Sequence, residues 1–321
     1  MRIPATLCGA VFLFSWITNA SAQDYPARPI RIVVPTLAGG SADILARLIG
    51  AKLHERWGQP VVVDNRGGAG QMIGADAVAK SAADGHTILL PTVTYTTSAA
   101  TQSKLPFDPV NDLAGVTLVG EGPFLVTVHP SLPVKTIKEL IALARVKAGS
   151  LNYASSGTGS ILHLVTEVFA AGARIKLVHV PYKSIAPAVT ETVGGHVPMM
   201  FGSLPSVLPQ VKAGRLRALA VTTAKRSSFV PELPTVAEAG VAGFEARQWW
   251  GVFVPAKTPG PVVAKLNGEI HKILAAEDVK SRLADEGAEP MVTTPEAFSA
   301  IVKSDIAKWK RVVADLDLRL N

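Results

Sequence analysis

The sequence predicts an α/β fold of two lobes with a hinge between them. Three observations predict it. Short apolar strands alternate with amphipathic helices, the alternation stops and restarts once, and the chain finishes in helices alone.

The first unit opens with Ile30-Arg31-Ile32-Val33-Val34, an apolar run of strand length. A helix is expected over Ala42 to Trp57, where Ile44, Leu45, Leu48, Ile49 and Leu53 share one face. Val61 to Val63 is a strand, Met72 to Ala79 a short helix and Thr87 to Leu90 a third strand. The second unit runs helix Thr136 to Lys147, strand Leu151 to Ala154, helix Ile161 to Ala171 and strand Lys176 to Val180. Helix Ala186 to Val193, strand Pro198 to Phe201, helix Ser206 to Ala213 and strand Leu216 to Val221 complete it. Units of this kind pair their strands in parallel through right-handed crossovers, so parallel-core sheets are expected.

A strand at Gly251 to Val254 and helices at Pro261 to Ala275, Asp278 to Glu286 and Pro295 to Ala314 follow. Such a tail can return to cover the first lobe. The chain is therefore expected to cross between lobes near Leu118 to Pro123 and near Glu245 to Trp250, and two crossings make a hinge. The expected division is 1–22 as a leader, 23–122 and 248–321 as one lobe, and 123–247 as the other.

The leader carries a compartment. Arg2 is the only charge before Asp24, Leu7 to Ile17 is an uncharged, mostly apolar run, and Ala20-Ser21-Ala22 supplies small residues at a cleavage site. That is the pattern of an export signal, with the mature chain beginning at Gln23 and lying in the periplasm. The alternative is a membrane anchor, but the run is about half of the roughly 20 residues that span a bilayer. Cleavage removes Cys8, the single cysteine, which suits an oxidising compartment. Thiol catalysis and zinc–thiolate sites are thereby excluded from the mature chain.

Losing Arg2 lowers the formal charge from +7 to +6. The basic residues are spread out, with no block of five and no interleaved aromatics, so nucleic acid is not an expected partner. The histidines form no H-x-x-x-H pair, and neither a metal site nor a cofactor is expected. No convincing catalytic triad is present. Ser160 and His163 are the one candidate nucleophile–base pair, and they lack a third group to orient the imidazole. The chain reads as a binding protein rather than an enzyme, with an exported α/β hydrolase as the competing class.

In open α/β sheets ligands lie at the carboxyl ends of strands, beside helix starts. Thr36, Ala38, Gly39, Gly40, Ser41 and Asp43 form the first candidate loop. Its glycines let backbone approach a ligand, and the helix start favours an anion. Asp43 serves equally well as a helix cap. It lacks the G-x-G-x-x-G or Walker spacing, which disfavours phosphate. The second loop is Ser155, Ser156, Gly157, Thr158, Gly159 and Ser160, with His163 one turn on, either facing the ligand or packed. Lys183 and Ser184 form a third, where the lysine meets a carboxylate or only solvent. Thr92 and Thr94 lie in a polar loop after the third strand and add hydroxyls; Ser203 follows the strand ending at Phe201.

The chain also resembles the Bug proteins, periplasmic solute receptors of tripartite tricarboxylate transporters. The resemblance rests on Tyr25-Pro26-Ala27-Arg28-Pro29-Ile30, Gly39-Gly40-x-x-Asp43, Gly58-Gln59-Pro60-Val61-Val62-Val63, Asn65-Arg66, Gly67-Gly68-Ala69-Gly70, Ala83-Asp84-Gly85-His86-Thr87, Tyr153-Ala154-Ser155-Ser156-Gly157, Val180-Pro181-Tyr182-Lys183, Leu233-Pro234-Thr235-Val236 and Gly287-Ala288-Glu289-Pro290. It implies a two-lobe type II periplasmic-binding-protein fold. It implies a small organic carboxylate, dicarboxylic, tricarboxylic or aromatic, held by loop backbones, hydroxyls and waters at Thr36 to Asp43 and at Ser155 to Ser160 with His163. Two membrane transporter subunits are the implied partners of a monomer, and some members serve signalling instead. Family members often carry Asp-Asn where this chain has Gly202-Ser203, and Gly-Ser where it has Ser184-Ile185. Both departures lean toward a less polar acid and away from an amino acid.

Overall fold

The computed structural model describes residues 25–318. The expected leader and its cleavage site lie outside the described residues. Alternation builds the first sheet: Ile30, Ile32 and Val34 enter one apolar layer and Val33 the opposite one, so β1 (Ile30–Val34) is buried on both faces.

The first sheet has the order β11-β4-β10-β3-β1-β2, using β2 (Val61–Asn65), β3 (Thr87–Leu89), β4 (Leu113–Gly122), β10 (Gln248–Pro255) and β11 (Glu289–Pro290). The second has the order β7-β6-β8-β5-β9, from β5 (Phe124–Val128), β6 (Asn152–Ser155), β7 (Val178–Pro181), β8 (Met199–Ser203) and β9 (Arg217–Val221). In each sheet three strands run parallel: β3-β1-β2, and β7-β6-β8. Antiparallel strands complete both sheets, with β10 and β4 in the first and β5 and β9 in the second. The sheets are therefore mixed, each with its three parallel strands grouped at one side.

Helices α1 (Ser41–Trp57), α8 (Gly260–Leu274) and α9 (Glu277–Asp285) cover one face of the first sheet, where Leu45, Ile49, Leu266 and Ile270 join Val252 and Val254. Its other face carries α2 (Met72–Ala79), α3 (Thr94–Thr101) and α10 (Pro295–Asp315). That apolar layer runs on without a break into the second lobe, through Tyr95, Phe298 and Trp309 to Phe124, Tyr153 and Phe169. There it meets α4 (Ile137–Val146) and α5 (Ile161–Ala173), while α6 (Ile185–Val193) and α7 (Leu204–Lys212) close the far face. Thr136 caps α4 by accepting the Glu139 N–H, and the Glu139 carboxylate reaches back to accept the N–H of Lys135, the residue before the cap, at 2.6 Å.

The chain changes sheets at two adjacent places. Only Pro123 separates β4 in the first sheet from β5 in the second. On the return, the Ala246 N–H donates to Thr222 O beside the second sheet, and Gln248 pairs with Gly122 in the first. Gly122, at the end of β4, admits no side chain, since a Cβ there would lie 2.2 Å from Gly287 O, just before β11.

The segment Thr92 to Thr97 differs from its reading as a polar loop, because α3 begins at Thr94. Its Thr- and Ser-rich sequence has poor helix propensity. It is helical because Tyr95 and Ala99 are buried, while the Thr96, Thr97 and Thr101 hydroxyls donate back to carbonyls three residues earlier. No helix among the described residues is long and apolar enough to cross a membrane.

Candidate carboxylate-binding cleft

The parallel register brings the candidate loops together. Val34 aligns with Asn65 and Val33 with Leu89, so the loops leading to α1, α2 and α3 leave one edge of the first sheet. In the second lobe Ser155 aligns with Pro181 and Tyr153 with Met199, so the loops leading to α5, α6 and α7 also share an edge. The two edges meet at Gly159, whose Cα faces the Thr101 side chain of α3. The starts of α1, α2, α3, α6 and α7 carry no side-chain cap. At α3 the Thr94 and Tyr95 N–H groups turn back to Thr92, and at α2 the Met72 N–H turns back to Ala69 O, so the first-turn N–H groups open to an anion are those of α1, α6 and α7, apart from their prolines.

In the first lobe the loop after β1 is held from behind. Asp43 is buried, accepts from the Gly39 N–H at 2.9 Å and pairs with Arg47. Burial works to raise its pKa, but hydrogen bonds from Arg47, Gly39 and Asn65 outweigh that and hold the carboxyl below its usual range. Arg47 also donates to Asn65 Oδ1, and the Asn65 amide donates to Thr36 O at 3.3 Å. Ser41 accepts from the Trp250 indole N–H at 3.1 Å. Residues Leu37, Ala38, Gly39 and Gly40 are exposed, and Thr36 keeps a buried hydroxyl with no partner. Thr92 is bonded on two sides by Gln71: the Gln71 amide donates to Thr92 Oγ1, and the Thr92 N–H donates to Gln71 Oε1. Thr94 stands half-buried at the start of α3.

In the second lobe Ser156 and Gly157 are half-buried and Thr158 is exposed, forming the rim of the β6–α5 loop. Ser155 is buried, with its hydroxyl 2.6 Å from His179 Nε2, and it receives the Gly157 N–H at 3.1 Å. Ser160 caps α5 by accepting the His163 N–H. The His163 ring does not face open space. Its Nδ1 accepts from the Gly159 N–H at 3.1 Å, and the ring stacks on His179 with centroids 3.9 Å apart. Lys183 is exposed, Ser184 is the uncapped N-cap position of α6, and Ser203 at the start of α7 exchanges a 2.8 Å hydrogen bond with Ser206.

The predicted residues thus divide into two groups. Thr36, Ala38 to Gly40, Thr94, Ser156 to Thr158, Lys183, Ser184 and Ser203 line the loop edges. Ser41, Asp43, Thr92, Ser155, Ser160 and His163 act behind them, fixing backbone. Sequence reasoning gave no site role to Asn65, Gln71, His179 or Trp250, although Asn65-Arg66 is among the segments that carry the family resemblance. Gln71 had one visible signal, its place directly after a glycine-rich run; its left-handed φ of 79° continues that turn. Among the described residues no group of three or more His, Cys, Asp or Glu can hold a metal.

The family model described as "Tripartite tricarboxylate transporter family receptor" matches residues 45–318. The chain belongs to this receptor family. Its receptors are periplasmic solute-binding proteins rather than enzymes. Protein BugT of Bordetella pertussis is 38% identical over 304 residues, covering 94% of this chain and 93% of that one. Among solved family structures, R. palustris Rpa4515 with adipate matches with a TM-score of 0.85 and 38% identity, over 92% of this chain and 99% of that one. MatC (Rpa3494) from Rhodopseudomonas palustris, with bound malate, matches with a TM-score of 0.80 and 32% identity, over 90% of this chain and all of that one.

Proposed function

We propose that this receptor lies in the periplasm and captures a small organic carboxylate, dicarboxylic, tricarboxylic or aromatic, by closing its two lobes. The lobes comprise residues 23–122 with 248–321, and residues 123–247. The monomer hands its ligand to two membrane transporter subunits. The observation that carries the reading is the pair of facing loop edges, one per lobe, with helix starts free of side-chain caps. Each set can hold one end of a diacid by N–H groups and hydroxyls, chiefly Thr36 to Gly40 opposite Ser156 to Thr158 and Ser184. Adipate in Rpa4515 and malate in MatC are both two-ended acids, which supports this chemistry.

A less polar acid is favoured by Gly202. A Cβ there would stand 2.3 Å from Val207 Cγ1, so Val207 fills the space an acidic side chain would need. Without that acid the site lacks a partner for a ligand ammonium. The hydrolase alternative is weakened by Ser160 and His163, because the imidazole nitrogen that faces the loop already accepts the Gly159 N–H.

Ligand binding stabilises a folded receptor by mass action, by about 2.7 kcal/mol at a hundredfold excess over Kd. Refolded, ligand-stripped protein should therefore melt higher with adipate, malate or an aromatic carboxylate. No shift with any of them would sink the reading. Loss of uptake on deleting the transporter subunits separates transport from signalling.

A further inference from the structure

We propose that His163 and His179 are positioning residues: a stacked imidazole pair beneath the β6–α5 loop that holds the Ser155 to Ser160 backbone in its binding geometry. This rests on the carboxylate reading of the cleft.

The pair is built into the lobe. The two rings lie 3.9 Å apart and within 8° of parallel, and Tyr153 extends the column with its ring 5.1 Å from His179. Each imidazole grips one part of the loop. His179 Nε2 sits 2.6 Å from the Ser155 hydroxyl, which in turn receives the Gly157 N–H. His163 Nδ1 receives the Gly159 N–H. Both glycines have left-handed φ, 124° and 74°, so the loop backbone is set at the two points the histidines hold. The remaining N–H groups of the loop rim are thereby aimed without using any ligand-facing side chain.

The geometry requires a neutral His163 ring. A backbone N–H pointing at His163 Nδ1 leaves no room for a proton on that nitrogen. A charge on one ring also opposes a charge on the other at 3.9 Å. His163 lies in the first turn of α5, where the helix dipole disfavours a cation. The titratable neighbours are Tyr153 of β6 and Glu167, one turn on from His163 in α5, and they are bonded to each other, the Tyr153 hydroxyl donating to Glu167 at 2.5 Å. The α3 side chain nearest Gly159 is the neutral Thr101. Burial lowers the His163 pKa to about 4, aided by His179, and burial lowers His179 to about 4 as well.

The test has two readouts. In ligand-free protein, imidazole ¹⁵N shifts should show His163 Nδ1 unprotonated down to about pH 5, and the Gly159 amide should exchange slowly. His163→Ala should abolish that protection. His163→Asn, whose amide oxygen can stand in for Nδ1, should retain it. In adipate and malate titrations, His163→Ala should weaken binding about tenfold, the scale of one lost hydrogen bond. Wild-type affinity should also fall more steeply than that of His163→Asn as pH drops toward 4. Unchanged Gly159 protection in His163→Ala, or matching pH profiles for wild type and His163→Asn, would overturn the proposal. If wild type binds neither of these acids nor an aromatic carboxylate, the carboxylate reading fails while the exchange measurement still decides whether the histidines hold the loop.

Discussion

The Arg247 guanidinium meets the Glu121 carboxylate at 2.8 Å, joining the two strands at the point where the chain passes between its lobes. Arg247 directly precedes β10, and Glu121 is the next-to-last residue of β4, one residue from the Gln248–Gly122 pair. The ion pair therefore ties the outgoing crossing to the returning one. Its cation is directed at the hinge rather than left for a ligand.

Both side chains keep partial contact with solvent, so the pair should contribute about 1 kcal/mol or less. A double-mutant cycle of Arg247→Ala and Glu121→Ala in urea should give a coupling of that size, shrinking in high salt. A coupling above about 3 kcal/mol would mark a buried, uncompensated pair and contradict this account.

Asp43 tests the loop of the first lobe. Its carboxylate holds the Gly39 N–H, and through Arg47 and Asn65 it steadies Thr36. Asp43→Ala removes the acceptor of the exposed Gly39 N–H and the partner of Arg47, at a cost of about 0.5–1.5 kcal/mol. Adipate affinity should fall with it. Asp43→Asn keeps an oxygen for Gly39 and should recover part of both losses. Equal losses in the two variants would assign the effect to the Arg47 ion pair instead.

Much of this was legible because period and punctuation are local. The run Met72 to Ala79 forms the helix its pattern indicates, and Gly58 ends α1 in a left-handed turn. What the sequence hid is tertiary. The Thr/Ser-rich α3 has weak propensity and exists through burial of Tyr95 and Ala99. Neither β4 nor β5 is among the strands expected from sequence, and the crossing expected at Leu118 to Pro123 falls mostly within β4. His179 carried no signal, because its partner His163 is brought near only by the pairing of β6 with β7. The loops announced themselves by glycines and hydroxyls, while the groups that hold them came from distant strands.

The histidine pair makes stability depend on pH in a stated direction. Both groups sit near 4 when folded and near 6.5 when unfolded. Between those values the unfolded chain binds more protons, so stability rises with pH through this window and is fully present above about 6.5. It is lost as pH falls toward 4. For buried His163 the limit is about 3 kcal/mol, at 1.36 kcal/mol for each pKa unit. Urea midpoints should decline between pH 6.5 and 5, above the range where most carboxylates titrate. The double variant His163→Asn, His179→Gln should flatten that decline, and an unchanged slope would remove the pair from the explanation.

Gly159 stands where two constraints act at once, and they can be separated. Its φ of 74° is a conformation that a side chain disfavours, at about 1 kcal/mol for alanine. A Cβ there would also approach Thr101 Oγ1 to 3.2 Å and Thr101 Cβ to 3.6 Å. The first distance is a tight contact across the lobes, and the second is ordinary packing. Gly159→Ala should therefore lower stability by about 1–2 kcal/mol and weaken adipate binding, since the same contact opposes approach of the lobes. Thr101→Ala removes the hydroxyl but keeps its Cβ. In that background the binding defect of Gly159→Ala should largely disappear, while the backbone cost in urea unfolding remains. If Thr101→Ala restores neither quantity, the defect lies wholly in the left-handed backbone that the Gly159 N–H needs to reach His163.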